Sequence, residues 1–149
     1  HEFFSGIIDD NVKCISAGGK SNIQRLLIDY KGSRILVVAD GAAFGSEMSE
    51  LYPYIQRHTE VELYLPESFE WIILASGLID GNRIADILEH TEDFAESKDY
   101  FSWEQFYTKL LVQETEGTYL QYNKSSLNSS YLNDKEKKSI VAVLPEKLI

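Results

Sequence analysis

The chain has 149 residues, 44% of them hydrophobic and 12% aromatic, which suffices for a sizeable core and excludes disorder of the whole. Its single cysteine excludes a disulfide framework and a cysteine-based zinc site. A formal charge of −10 argues against a general phosphate-backbone binder, but the charge is uneven: residues 1–100 hold 18 acidic and 8 basic side chains, whereas residues 101–149 hold six of each.

Phe3, Phe4, Ile7 and Ile8 fall at helical spacing, and the turn Asp9-Asp10-Asn11 leads to a short strand expected at Val12–Ser16. Gly18-Gly19 breaks that strand. Ser21 with Gln24 has the spacing of a capping box, opening a helix that carries Ile23, Leu26, Leu27 and Tyr30 on one face and ends at Gly32. The run Arg34–Asp40 is almost continuously apolar, as a strand buried on both faces must be, and predicts a central parallel strand. A small-residue turn, Gly41–Gly45, leads to a helix near Ser46–His58. A strand follows at Val61–Leu65, and Pro66 is placed to open a helix over Glu67–Ser76.

Alternation of this kind predicts an α/β fold with a Rossmann-like parallel sheet and helices on both faces. Beyond Gly77 the pattern is helical. Ile84, Ile87 and Leu88 mark one helix, and Ser102 with Gln105 marks a second, with Phe101 and Phe106 as a hydrophobic staple. That helix places Trp103, Phe106, Tyr107, Leu110 and Leu111 on one face, and a last helix begins at Asn133 and Glu136. The expected organisation is an α/β core over 1–76 with a helical C-terminal extension, 77–149, packed on it as one structural domain. The chain starts at His1 and has no basic segment followed by an apolar one, so a domain cut from a longer cytoplasmic protein is expected. Its longest apolar run, around Trp71–Ala75, is far too short for a membrane span.

Three features could carry chemistry. Gly18-Gly19-Lys20-Ser21 sits between a strand and a helix, the setting of a phosphate-binding turn, because amides at a helix N-terminus attract anions. A P-loop would need a glycine where Cys14 stands, so a tight turn capped by Ser21 outweighs a phosphate site there. Asp40 ends the most apolar strand, at the carboxyl edge where parallel sheets place ligands. Its two readings, a Mg²⁺ ligand and a cap of the glycine-rich turn, weigh about evenly. Glu67 or Glu70 could reach the same edge, although acids in a first helical turn are favoured by the helix dipole alone. The aromatic cluster Tyr100, Phe101, Trp103, Phe106 and Tyr107 reads first as core and second as a surface for a partner.

The order of helix, Gly-Gly-Lys-Ser turn, helix, strand ending Val38-Ala39-Asp40-Gly41, strand and acidic helix resembles a Toprim domain. The likeness is to the kind found behind ATPase domains in nucleases of the overcoming-lysogenization-defect type, and it covers roughly residues 1–76. It implies a bacterial protein with an upstream domain, an ATPase in that family, and a Mg²⁺ site for DNA strand cleavage. Asp40 matches the first aspartate of the family's D-x-D pair, but the second falls on Ala42. The family's glutamate would lie upstream of His1, and Glu70 fits the later acidic helix. The implied role is a regulatory or degenerate nucleic-acid-linked module with an incomplete metal site, whose activity, if retained, would be that of a Mg²⁺-dependent phosphodiesterase. The alternative is a non-catalytic protein-interaction module using the aromatic C-terminal helices.

Overall fold

A computed structural model describes residues 1–41, 48–79, 81–94 and 103–146. Among these the fold is mixed α/β: eight α-helices, two short 3-10 turns and a two-stranded parallel sheet. None of the described helices is long and apolar enough to cross a membrane. The chain divides into two compact units at 14/15 and 68/69, not at the expected boundary after residue 76. One unit is residues 15–68; the other joins residues 1–14 to residues 69–149.

Residues 15–68 form a βαβ unit. A 3-10 turn at Lys20–Asn22 enters α2 (Ile23–Asp29), and β1 (Ile35–Val38) is followed by α3 (Met48–Arg57) and β2 (Val61–Tyr64). The strands pair in parallel from Ile35 opposite Val61 to Val38 opposite Tyr64. Both are shorter than the apolar runs that predict them. Ile23, Leu27, Val37, Leu51 and Val61 are the buried centre, with Ile35, Tyr54, Ile55 and Leu63 packed against it. Gly32, at φ 89°, occupies the left-handed region after α2, which explains why the helix stops there.

Two local expectations fail here. Residues 12–16 are not a strand: Val12 and Ile15 are exposed, and β-propensity without a partner strand does not hold a ladder. Ser21 does not cap a helix. The chain first makes the 3-10 turn, and α2 starts at Ile23 behind Asn22 with no side-chain cap.

The second unit is helical: α1 (Glu2–Ile7), α4 (Phe69–Ala75), α5 (Gly81–Glu89), α6 (Thr91–Phe94), α7 (Trp103–Thr115) and α8 (Asp134–Val141), with a 3-10 turn at Ser129–Leu132. Helix α4 begins three residues after Pro66, later than the predicted start. It packs on α5, α7 and α8, and α1 packs on the Ser129–Leu132 turn. At that contact a methyl group on Gly6 would meet Leu132 Cδ2 at 2.7 Å, so any larger residue there requires the Leu132 side chain to move. Phe3, Phe4 and Phe69 form an aromatic triad with centroids 5.5–6.2 Å apart. Of the predicted α7 face, Phe106, Tyr107, Leu110 and Leu111 are buried, while Trp103 is 43% exposed. The staple and cap expected from Phe101 and Ser102 lie outside the described residues, as do Ala42–Gly45 of the small-residue turn.

Candidate functional site

In the βαβ unit the chain leaves β1 through Ala39 and Asp40, which places Asp40, half-buried, at the carboxyl edge of the sheet. The ladder continues irregularly past the strand. Ala39 N–H donates to the Tyr64 carbonyl at 3.2 Å and Gly41 N–H to the Pro66 carbonyl at 2.7 Å. A Cβ on Gly41 would stand 3.1 Å from Pro66 O and 3.3 Å from Leu65 O, so a glycine lets the two chains close behind Asp40.

The Gly18–Ser21 turn belongs to the same unit. Gly18 (φ 69°) and Gly19 (φ 157°) take backbone conformations that side chains resist, which is why both are glycine. Asn22 Nδ2 donates to Ala17 O at 3.0 Å across the turn, while Lys20 and Ser21 are exposed. At the opposite, amino edge of the sheet, His58 Nδ1 lies 3.0 Å from Glu60 Oε1 and its ring stacks on Tyr54 at 4.1 Å. Hydrogen bonding at its own backbone, and then His58, hold the Glu60 carboxyl below the ordinary carboxylate range.

Glu70 belongs to the helical unit. It sits in the first turn of α4 between Phe69 and Trp71 and is only 3% exposed. A buried carboxylate needs a donor, and Tyr122 supplies one: its hydroxyl donates to Glu70 Oε1 at 2.7 Å. Tyr122 is fixed in turn, since its N–H donates to Thr115 Oγ1 at 2.9 Å.

The same arrangement recurs three residues earlier. Tyr119 donates to Glu136 Oε1 at 2.7 Å, and Glu136 is buried on α8. This hydrogen bond, with one at Glu136's own backbone, lowers the Glu136 carboxyl and raises the Tyr119 phenol. Tyr131, fully buried, donates to the Leu120 carbonyl at 2.5 Å, and its burial pushes the phenol up. Glu136, predicted as a helix-start residue, therefore faces inward. The pairs Glu70–Tyr122 and Glu136–Tyr119 were not predicted. The available signal is an acid within an otherwise apolar helix: Phe69-Glu70-Trp71-Ile72-Ile73-Leu74 cannot be buried without burying Glu70.

Among the described residues, no group of three or more His, Cys, Asp and Glu side chains is placed to hold a metal ion. Asp40 and Glu70 fall in different compact units, and the Glu70 carboxylate already accepts a hydrogen bond. Position 42 carries alanine where the family pattern has its second aspartate. These residues do not fit a two-ion centre, which needs several carboxylates around ions about 3.5–4 Å apart. No family model, curated protein or solved structure matches this chain.

Proposed function

We propose that this chain is a non-catalytic regulatory module linked to nucleic acid, built on a degenerate Toprim-like α/β unit. The observation that supports it is the state of Glu70. The second acid that a metal site would recruit is buried on α4 and already accepts a hydrogen bond from Tyr122. Asp40 then stands as one carboxylate at a sheet edge, too few to organise phosphoryl transfer. The finer description belongs to the same proposal: a Rossmann-like sheet, and a place in the cytoplasm behind an upstream domain such as an ATPase.

The test is incubation of the purified chain with supercoiled and linear DNA in the presence of Mg²⁺ or Mn²⁺. No nicking or cleavage above a metal-free control is expected. Cleavage that Asp40→Asn abolishes would overturn the proposal and restore a phosphodiesterase. A second reading, a protein-interaction module, draws on Trp103: alone of the predicted aromatic face it is substantially exposed. If Trp103→Ser leaves every association of the intact protein unchanged, that reading is lost.

A further inference from the structure

The parallel sheet of residues 15–68 has two strands, so each of them presents one open edge. The register shows which backbone groups of β1 are already used. Ile35 N–H donates to Glu60 O at 2.9 Å and Ala39 N–H to Tyr64 O at 3.2 Å, so alternate residues face β2. The N–H and C=O groups of Leu36 and Val38 point the other way. Among the described residues they meet no backbone partner. Such an edge is a template for a further strand.

The same unit holds a segment that fits it. Ile15–Ala17 belongs to no helix or strand, and Ile15 and Ser16 make no backbone–backbone hydrogen bond among the described residues. Ala17 is its fixed end: the side chain packs on the core of the unit, and the carbonyl accepts from Asn22 Nδ2 at 3.0 Å. Side chains alternate along an extended chain, so a strand through Ala17 turns Ile15, now 40% exposed, to the core side as well.

The handedness of the connections says where such a strand belongs. Helices α2 and α3 cover one face of the sheet. Ile23, Leu27 and Leu51 share a buried cluster with Val37 and Val61, and the Tyr54 hydroxyl donates to Leu27 O at 3.4 Å. Right-handed crossovers over one face advance in one direction, which β1–α3–β2 fixes. A strand that enters α2 therefore falls beside β1, on the side away from β2. Residues 18–34 are long enough for that connection, since a parallel crossover takes about a dozen residues or more.

We infer that Ile15–Ala17 is a strap that closes onto the free edge of β1 as a third parallel strand, pairing Leu36 and Val38 and burying Ile15 beneath α2. The structure shows the strap open. Closure sets the Gly18–Ser21 turn, at the strap's carboxyl end, beside Asp40 at the carboxyl end of β1. One motion thus composes the sheet edge at which parallel α/β folds place their ligands. It concerns the sheet alone and stands whether or not the chain meets nucleic acid.

Disulfide trapping in the full chain tests it, with the natural thiol removed by Cys14→Ser. In the closed sheet Ser16 shares a face with Leu36 and Val38 and, one strand further on, with Tyr64 opposite Val38. Ser16→Cys is combined in turn with Leu36→Cys, Val38→Cys and Tyr64→Cys. Mild oxidation should remove both thiols in one of the two β1 pairs, because neighbouring strands bring Cα atoms within the span of about 4.4–6.8 Å that a disulfide bridges. The Tyr64 pair, about two strand spacings or roughly 9–10 Å apart, should keep its thiols. In the trapped chain the amides at 36 and 38 should exchange with solvent more slowly than after reduction. Ile15→Ser, at an exposed position, should slow trapping roughly 3- to 8-fold, the part of an isoleucine's burial still to be gained.

A measurement free of introduced cysteines accompanies these: the Leu36 and Val38 amides should exchange faster in Ile15→Ser than in the unsubstituted chain. No trapping in either β1 pair, together with equal exchange in those two chains, overturns the strap. Trapping at Tyr64 as fast as at β1 overturns its place beside β1. Trapping that leaves the amides at 36 and 38 unprotected records a collision instead of a strand, and overturns it too.

Discussion

The two compact units satisfy their buried polar atoms in different ways. In residues 15–68 the backbone does it, through the β1–β2 ladder and its continuation to Gly41 and Pro66, and the ionisable side chains stay at the surface or half-buried. In the helical unit side chains do it. Tyr119, Tyr122 and Tyr131 each send a hydroxyl to a specific oxygen, and two of those oxygens belong to buried glutamates. Charge in this chain is no guide to chemistry until each carboxylate's hydrogen-bond donor is known.

The sharpest way to break this contrast is at the helical core. Ile73, fully buried on α4, should cost about 2–5 kcal/mol when cut to alanine. Both tryptophans, Trp71 and Trp103, belong to this unit, so the loss should appear as an earlier fluorescence transition in urea. Tyr122→Phe should cost about 1–3 kcal/mol, because it leaves the Glu70 carboxylate buried without its donor. Glu70→Gln, which can still accept from Tyr122, should cost less; an equal cost would mean that the negative charge itself is required. In the other unit Gly41→Ala should destabilise by about 1–3 kcal/mol, since a methyl group meets two backbone carbonyls that cannot rotate away. Circular dichroism should register that change, and an unchanged melt would show that the close approach at Asp40 is not needed.

Acid should separate the units by their carboxylates. Glu136 and Glu60 both titrate below the ordinary 4.5 when folded, the first chiefly through Tyr119 and the second chiefly through its own backbone hydrogen bond. A depressed folded value means that the stabilisation is complete above the unfolded value and drains away as pH falls through the folded one. Below about pH 4.5, Tyr119→Phe should flatten the acid loss of the tryptophan-reported unit, and a parallel fall in mutant and wild type would remove Tyr119 as the cause. The smallest effect is expected from Arg83→Ala, which breaks the surface pair with Glu114 and should move stability by under about 1 kcal/mol.

Legibility in the sequence followed the range of the interaction. The runs Arg34–Asp40 and Val61–Leu65 announce strands because their apolar character is local and bounded by glycine, proline and charge; only their lengths were overstated. The buried face of α7 was legible by the same logic, with Trp103 left exposed at the helix start. Ser21 and Gln24 matched a capping pattern, yet the two glycines before them favour a tighter turn and shift the helix start to Ile23. Asp40 could be placed at the sheet edge from its position after an apolar run. The partner of Glu70 could not be found that way, because Tyr122 lies 52 residues along the chain and no local spacing encodes it.

The unit formed by residues 1–14 and 69–149 also constrains synthesis on the ribosome. Helix α1 finds Phe69 only after the whole of residues 15–68 has been made. It finds Leu132, and the Leu127 N–H that donates to the Glu2 carboxylate, only after more than a hundred further residues. At about 5–20 residues per second that interval is on the order of ten seconds. During it the βαβ unit, contiguous in sequence, can complete its own core, while Phe3 and Phe4 stay without their final partners. A newly made chain thus exposes a sticky α1 until the Ser129–Leu132 turn emerges, and its exposure to chaperones ends there.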